Sequence, residues 1–189
     1  MDPGESARQE VRPSAVRLKD LVFRHAVAED AEALAEFAAR IYYETFAAVN
    51  TPENMQAYLA AAFTMPQLQL ELSDPQASFI LAEADGKLAG YAKLLADEPP
   101  DCVTGEDPIE LVRFYIDQSW HGSGLAAALM ELCLSEARQR GFRTIYLGVW
   151  EKNLRAQAFY RKWDFSRVGE HVFYIGDDPQ IDWWMTRAI

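Results

Sequence analysis

The sequence predicts an α/β domain, a mixed sheet of about seven strands with helices on both faces. Three observations carry that expectation. The patterned segments follow the order β-α-α-β-β-β-α-β-α-β-β. Asp85-Gly86 joins two strand-like runs as a hairpin signal. Ile109–Ala137 reads as strand, glycine turn and helix in immediate succession. The chain has 189 residues, half of them apolar and 12% aromatic, enough to bury one domain core.

The elements follow in order. Residues 1–20 mix charges of both signs with Pro and Ser and read as a mobile arm, leaving one domain over 21–189. A first strand is expected over Leu21–Ala26. Glu29-Asp30 then open a helix through Glu44, with Leu34, Phe37, Ala38 and Ile41 on one face. Its end carries Tyr42, Tyr43 and Phe46, either core or the wall of a substrate pocket. Thr51-Pro52 reads as an N-cap with proline in the first turn, for a helix reaching Phe63. A short helix over Pro66–Ser73 precedes the hairpin strands Ala77–Ala84 and Lys87–Ala96. After a loop at 98–105, Ile109–Ile116 is the next strand. The helix beyond the glycine turn runs to Arg140, with Gly141 as its stop. Thr144–Trp150 is a fifth strand, and Asn153 caps a helix through Trp163. Strands at Arg167–Ile175 and Ile181–Ile189 are joined by a loop over 176–180.

Composition narrows the function classes. The net charge of −11 argues against nucleic acid and anionic membrane surfaces, and suits a cationic substrate. No run approaches the ~18 apolar residues of a membrane span, and the first twenty residues lack the apolar core of a signal peptide. Cys102 and Cys133 are too few for a disulfide framework, so free thiols in a cytoplasmic protein are expected. No metal site is expected.

The strongest local signal is His121-Gly122-Ser123-Gly124, followed by helix-forming Leu125, Ala126 and Ala127. The first amides of a helix lack internal partners, and the macrodipole leaves partial positive charge there. Glycines allow positive φ and close approach of an anion. A phosphorylated ligand at 122–127 is therefore one reading, and a plain tight turn is the other. The P-loop is excluded because no lysine follows Gly124. The dinucleotide fingerprint matches only faintly, with Ala127 at its last position and no acidic residue at the usual ~20-residue distance.

Two separated segments resemble the GNAT superfamily of N-acetyltransferases. The family's pyrophosphate loop reads Gln/Arg-x-x-Gly-x-Gly/Ala, and this chain has His121, Gly124 and Ala126 in those slots, after a strand ending Phe114-Tyr115-Ile116. The second segment resembles Asn-x-x-Ala-x-x-Phe/Leu-Tyr-x-Lys-x-Gly-Phe, here Asn153, Ala156, Phe159, Tyr160, Lys162, Asp164 and Phe165. Asp164 stands where the family has glycine. The resemblance spans 21–189 in element order, and its specific part is 107–175.

The resemblance implies a mostly antiparallel GNAT sheet and acetyl-CoA as donor. It implies cofactor contacts from 114–116, 121–127, Asn153, Ala156 and Tyr160. Arg155, Arg161 and Lys162 are cations that could offset the charge of coenzyme A. Tyr160 would be the general acid that protonates the leaving thiolate, and Glu110 is the base candidate, with an ion pair to Arg113 as its alternative role. Glu44, Asp107 and Glu151 are further carboxylates able to hold a cation. Tyr42, Tyr43 and Phe46 would line the acceptor site. The runs 147–153 and 169–174 are similar to a bacterial branch associated with acetylation of the polyamines spermidine and spermine. The implied reaction is direct acetyl transfer to a primary amine of a small molecule. Competing readings are a non-catalytic acyl-CoA-binding regulator, transfer of a longer acyl group, and action on a protein N-terminus or another amine. The last two strands, with Trp183-Trp184, are a candidate homodimer surface; alternation places one indole on each sheet face.

Overall fold

The structure, a computed structural model, describes residues 20–189, so the expected arm lies outside the described residues except for Asp20. Seven strands form one sheet: β1 Leu21–His25, β2 Ala77–Ala84, β3 Lys87–Leu95, β4 Pro108–Ile116, β5 Thr144–Trp150, β6 Ser166–Ile175 and β7 Asp178–Ala188. Their spatial order is β1-β2-β3-β4-β5-β7-β6. Every neighbouring pair is antiparallel except β4 and β5. The helices are α1 Ala31–Phe46, α2 Pro52–Ala62, α3 Met65–Leu72, α4 Leu125–Gln139 and α5 Leu154–Lys162.

Strand alternation divides the apolar side chains between two cores. On one face Ile80, Ala92, Leu94, Ile109, Leu111, Ile145 and Leu147 pack with Leu129, Met130 and Cys133 of α4 and Tyr160 of α5. On the other, Phe79, Leu81 and Tyr91 pack with Leu34, Phe37, Ile41 and Tyr42 of α1, Met55 of α2 and Leu68 of α3. Each fully buried leucine contributes about 1.5–3 kcal/mol. The two aromatic neighbours Trp183 and Trp184 go to opposite faces: Trp183 packs against the first core, and Trp184 meets Tyr146. Both indoles are engaged within the chain.

The β4–β5 contact is short. Only Pro108–Thr144, Ile109–Ile145 and Glu110–Tyr146 pair, after which β4 follows β3 and β5 follows β7. A β-bulge sits just past the parting. Lys93 pairs with Arg113 and Leu94 with Leu111, which leaves Val112 unmatched on β4. The extra residue reverses the alternation. Ile109 and Leu111 face α4, and beyond the bulge Phe114 and Ile116 do so while Tyr115 joins the opposite core.

Three of the boundaries that differ from expectation have a visible cause. The first helix continues to Phe46 because its C-terminal aromatics pack, Tyr42 against Phe63 at 5.6 Å and against Tyr58 at 4.5 Å between ring centroids. The Thr64 hydroxyl accepts from the Gln67 amide and starts α3 at Met65. The last hairpin turns at Gly176-Asp177, and β7 starts at Asp178 rather than Ile181. Pro179 is tolerated there because β5 reaches only to the level of Asp182, so the tip of β7 has a neighbour on one side alone.

Helix α5 ends in a Schellman motif. The Phe165 amide donates to the Tyr160 carbonyl and the Asp164 amide to the Arg161 carbonyl, both at 3.1 Å. Asp164 takes φ +61° in the slot where glycine is usual, and a side chain in this region costs roughly 1 kcal/mol. Asp164→Gly is expected to raise unfolding free energy by about 0.5–1 kcal/mol in a denaturant titration with unchanged slope.

Candidate active site

The parting of β4 and β5 opens a cavity of about 500 Å³. Phe114, Tyr115 and Ile116 line one side and Gly148, Val149 and Trp150 the other. At the C-terminal end of β4 lies the glycine turn. Gly122 and Gly124 have φ of +78° and +94°. A Cβ added at Gly122 would meet nothing within 4 Å, so the turn is open above that residue. The Ser123 hydroxyl donates to the Trp120 carbonyl and accepts from the Leu125 amide, tying the turn to the first residue of α4. Ala126 and Ala127 follow in the first turn, where amides lack an intrahelical acceptor. These features fit an anionic pyrophosphate group. His121, Gly122, Gly124 and Ala126 line the cavity; Ser123, Leu125 and Ala127 do not. Leu125 is fully buried, so its side chain serves the core.

The start of α5 closes the same end. The Asn153 side-chain oxygen accepts from the Ala156 amide at 3.1 Å, and both residues line the cavity. Arg155 donates to His121 Nδ1 at 2.7 Å, linking helix and turn. Burial and the adjacent guanidinium push the His121 pKa down, which keeps the ring neutral and able to accept. Arg155 is the cation of the three expected ones that reaches the cavity; Arg161 and Lys162 do not line it. Gln157 donates to the carbonyls of Trp150 and Glu151, fixing the end of β5 to α5.

Tyr160 lies on the cavity wall from the α5 face, packed among Phe114, Phe159 and Phe165 with centroids 5.5–6.4 Å away. Burial pushes its phenol pKa well above the usual value. It therefore stays protonated at neutral pH and can donate.

The opposite face is acidic and aromatic. Glu110, at the last paired position of β4, points away from the Ile109 and Leu111 side. Burial raises its carboxyl pKa; Lys93 opposes that and Asp97 adds to it. The expected alternative, an ion pair with Arg113, does not form. Arg113 instead donates to Glu71 of α3 at 2.5 and 2.9 Å, and Lys93 donates to the same carboxylate at 2.8 Å. The bulge turns Arg113 onto the face that Glu110 shares, and there Glu71 of α3 takes its guanidinium instead. Burial would raise the Glu71 pKa, but its partners outweigh burial and hold it low.

Tyr42 and Phe46 line this face, joined by Tyr58, Trp150 and Phe173. Tyr43 is corrected: it is 55% exposed and outside the cavity. Positions 42 and 46 share a helix face, and 43 lies about 100° round from 42. Glu44, Asp107 and Glu151 also stand outside; Glu44 pairs with Arg40 and Asp107 with Arg143.

Sequence reasoning missed Asp182, His171 and Gly148 and left open which indole of Trp183-Trp184 meets a pocket; these three and Trp184 are on the cavity wall. Burial pushes the Asp182 carboxyl up to about 6 from its ordinary 3.8. The fold thus favours its protonated form. That contribution is fully present below pH 3.8 and is lost as pH rises through about 6. Asp182→Asn is expected to stabilise the protein by about 1–2 kcal/mol near pH 8, discounted for partial exposure, and to match the parent below about pH 4. Thermal unfolding at both pH values checks this; a variant that is less stable at the higher pH contradicts it.

Comparisons with known proteins agree with this geometry. The model of the Acetyltransferase (GNAT) family matches residues 31–165. An uncharacterized N-acetyltransferase of Lactobacillus delbrueckii subsp. lactis is 33% identical, over 82% of this chain and 92% of its own. One of Mycobacterium bovis is also 33% identical, over 85% of this chain and 98% of its own. Among solved structures, the PaiA N-acetyltransferase of Thermoplasma acidophilum in complex with coenzyme A superposes with a TM-score of 0.72. It is 21% identical and covers 89% of this chain and 99% of its own, a likeness of fold. The chain belongs to the GNAT family of acetyltransferases and is an acetyl-CoA-dependent N-acetyltransferase.

Proposed function

We propose that the enzyme acetylates a primary amine of a small cationic molecule, with a polyamine as the acceptor that suits the site best. The observation that carries this reading is the polarity of the cavity. A buried phenol, Tyr160, stands on the α5 side of the β4–β5 gap. Two carboxylates, Glu110 and Asp182, stand on the opposite wall among Tyr42, Phe46, Tyr58 and Trp150. Aromatic faces and unpaired carboxylates favour a chain bearing several ammonium groups. The net charge of −11 draws such cations toward the protein.

Acetyl-CoA, when bound, supplies the thioester carbonyl that the amine attacks. Turn amides and Arg155 hold the anionic end of that donor, and the open backbone edge of 114–116 offers partners to its arm. An amine of pKa ~10.4 must lose a proton at pH 7, which costs about 4.6 kcal/mol. Glu110 takes this proton, and its raised pKa brings it closer to the donor it must match. The nitrogen–carbon bond forms as the carbon–sulfur bond breaks. Tyr160 gives its proton to the departing sulfur and regains one from the acetylated nitrogen. Neither cysteine serves as an acyl carrier, since Cys133 is sealed in the core and Cys102 lies outside the cavity. Transfer is direct, within the ternary complex.

Thiol release from acetyl-CoA across spermidine, spermine, lysine, aminoglycosides and short peptides tests the acceptor. Selective turnover of the polyamines is expected. Turnover of another amine alone would end the polyamine assignment, and silence together with tight acetyl-CoA binding would turn the reading toward a regulator.

Tyr160→Phe is expected to lower kcat roughly 100-fold while the Kd for acetyl-CoA holds; unchanged turnover removes Tyr160 from the reaction. Glu110 must be ionised to accept, and its pKa lies above 4.5. Activity therefore falls with pH at a higher value than an ordinary glutamate gives, and Glu110→Gln removes that acidic limb. Because the Tyr160 pKa lies above 10, the phenol adds no basic limb below about pH 10.

A further inference from the structure

The acceptor wall holds a group of side chains that the proton transfers leave unused. His171 on β6 and Asp182 on β7 are cross-strand partners. The His171 ring stacks on the Trp184 indole, with centroids 4.1 Å apart and planes at 14°. All three lean over Gly148 of β5. A Cβ built on that glycine would lie 3.4 Å from Trp184 Cζ3, 3.5 Å from His171 Nε2 and 3.7 Å from Asp182 Oδ2. Two polar atoms on different strands thus converge above one residue that has no side chain and is itself exposed to the cavity.

Neither polar group is satisfied among the described residues. His171 Nε2 is buried without a hydrogen-bond partner among them. Among the described residues, no lysine or arginine forms a salt bridge with Asp182, although such bridges form elsewhere in the fold. Leaving a half-buried carboxylate and an imidazole nitrogen unpaired is costly unless something brings them a donor. An anion is excluded by the carboxylate. A ligand with several N–H bonds and positive charge satisfies both groups at once.

Position along the strand supports this. Gly148 lies two residues beyond Tyr146, the last residue of β5 to pair with β4. The spot is therefore about 7 Å past the parting of the strands. Trp184 and Asp182 share its face through the Gly148–Trp184 and Trp150–Asp182 pairs, while Val149 and Leu147 turn to the core that holds Tyr160.

We propose that Asp182, His171 and Gly148 form the seat of the acceptor's ammonium group, the carboxylate and the Nε2 lone pair each taking an N–H hydrogen bond in the space that the missing side chain leaves. Burial lowers the His171 pKa and keeps its ring neutral, and with the proton on Nδ1 the Nε2 lone pair faces the seat. The seat positions the nitrogen; Glu110 takes the proton. This inference rests on the acceptor being an amine, as the proposed function has it.

The test is an NMR titration of the protein with spermidine in the presence of saturating coenzyme A, followed at the ring signals of its three histidines. His171 is expected to shift while His25 stays still. Asp182→Asn is expected to raise the spermidine Kd and the acceptor KM roughly tenfold or more, with kcat at saturating amine and the Kd for acetyl-CoA held. Gly148→Ala is expected to do the same by filling the seat, since its Cβ makes only ordinary contacts and the fold is kept.

Binding that leaves His171 unmoved, an unchanged Kd in both variants, or no binding of spermidine overturns the seat. A loss of kcat in Asp182→Asn with KM unchanged also overturns it, because that is the signature of a proton acceptor. The two proposals fail separately. If no thiol is released but spermidine still shifts His171 and the variants abolish the shift, the transfer reading falls and the seat stands. If polyamines turn over with unaltered KM in both variants, the reverse holds.

Discussion

The structure depends on one constraint: two neighbouring strands in the middle of a sheet stop pairing after three residues each. Backbone amides and carbonyls in a sheet interior must find partners, and an open seam there costs roughly 1–3 kcal/mol for each group left dry. The seam persists because both strands are tied elsewhere. β4 stays registered on β3 through the Val112 bulge, and β5 stays on β7, its end held to α5 by the two Gln157 hydrogen bonds. The glycine turn follows the end of one parted strand, and the capped start of α5 follows the other. One break in pairing thus supplies an extended edge, a helix N-terminus and a cavity reaching both sheet faces.

Charge is sorted around that seam. Lys93 and Arg113 could have neutralised Glu110, but Glu71 of α3 binds both of them in a nearly buried triad. Removing one member of such a cluster costs about 3–5 kcal/mol, so the cations are committed where they are. Glu110 keeps a raised pKa as a result, and Asp182 has no cationic partner among the described residues. Two carboxylates are therefore left without a cation on the proposed acceptor wall, while Arg155 is kept by His121 on the turn side.

What the sequence made legible is what is local. The turn at 121–124, the Asn153 cap and the stop at Gly141 each depend on residues a few positions apart, and each lies where its pattern put it. Tyr160 was legible because a contiguous motif carries it. The bulge was not, because Val112 looks like any strand valine until the register with β3 is known. The His171–Asp182 pair failed for a more specific reason. Reading 176–180 as one loop shifts the hairpin register and separates the two residues. With the turn at Gly176-Asp177, Ile175 pairs with Asp178 and the ladder brings His171 opposite Asp182. Asp178-Pro179 hid this, since proline is a loop signal unless the strand's open side is known.

The same register decides which of two adjacent indoles can serve a ligand. Trp183 and Trp184 are equivalent in sequence, yet Trp183 lies beneath Arg167, 4.3 Å from its guanidinium, and Trp184 stacks on His171 in the cavity. A one-residue slip of β7 would exchange them and carry Asp182 to the opposite face as well. The group formed by Gly148, His171, Asp182 and Trp184 is one face of a three-strand ladder, set by the turn at Gly176 and by the seven pairs that align β5 with β7. In the proposed reaction the donor is held by the parted strand edge and the acceptor by the ladder beside it. The geometry between them then follows from backbone pairing rather than from mobile side chains.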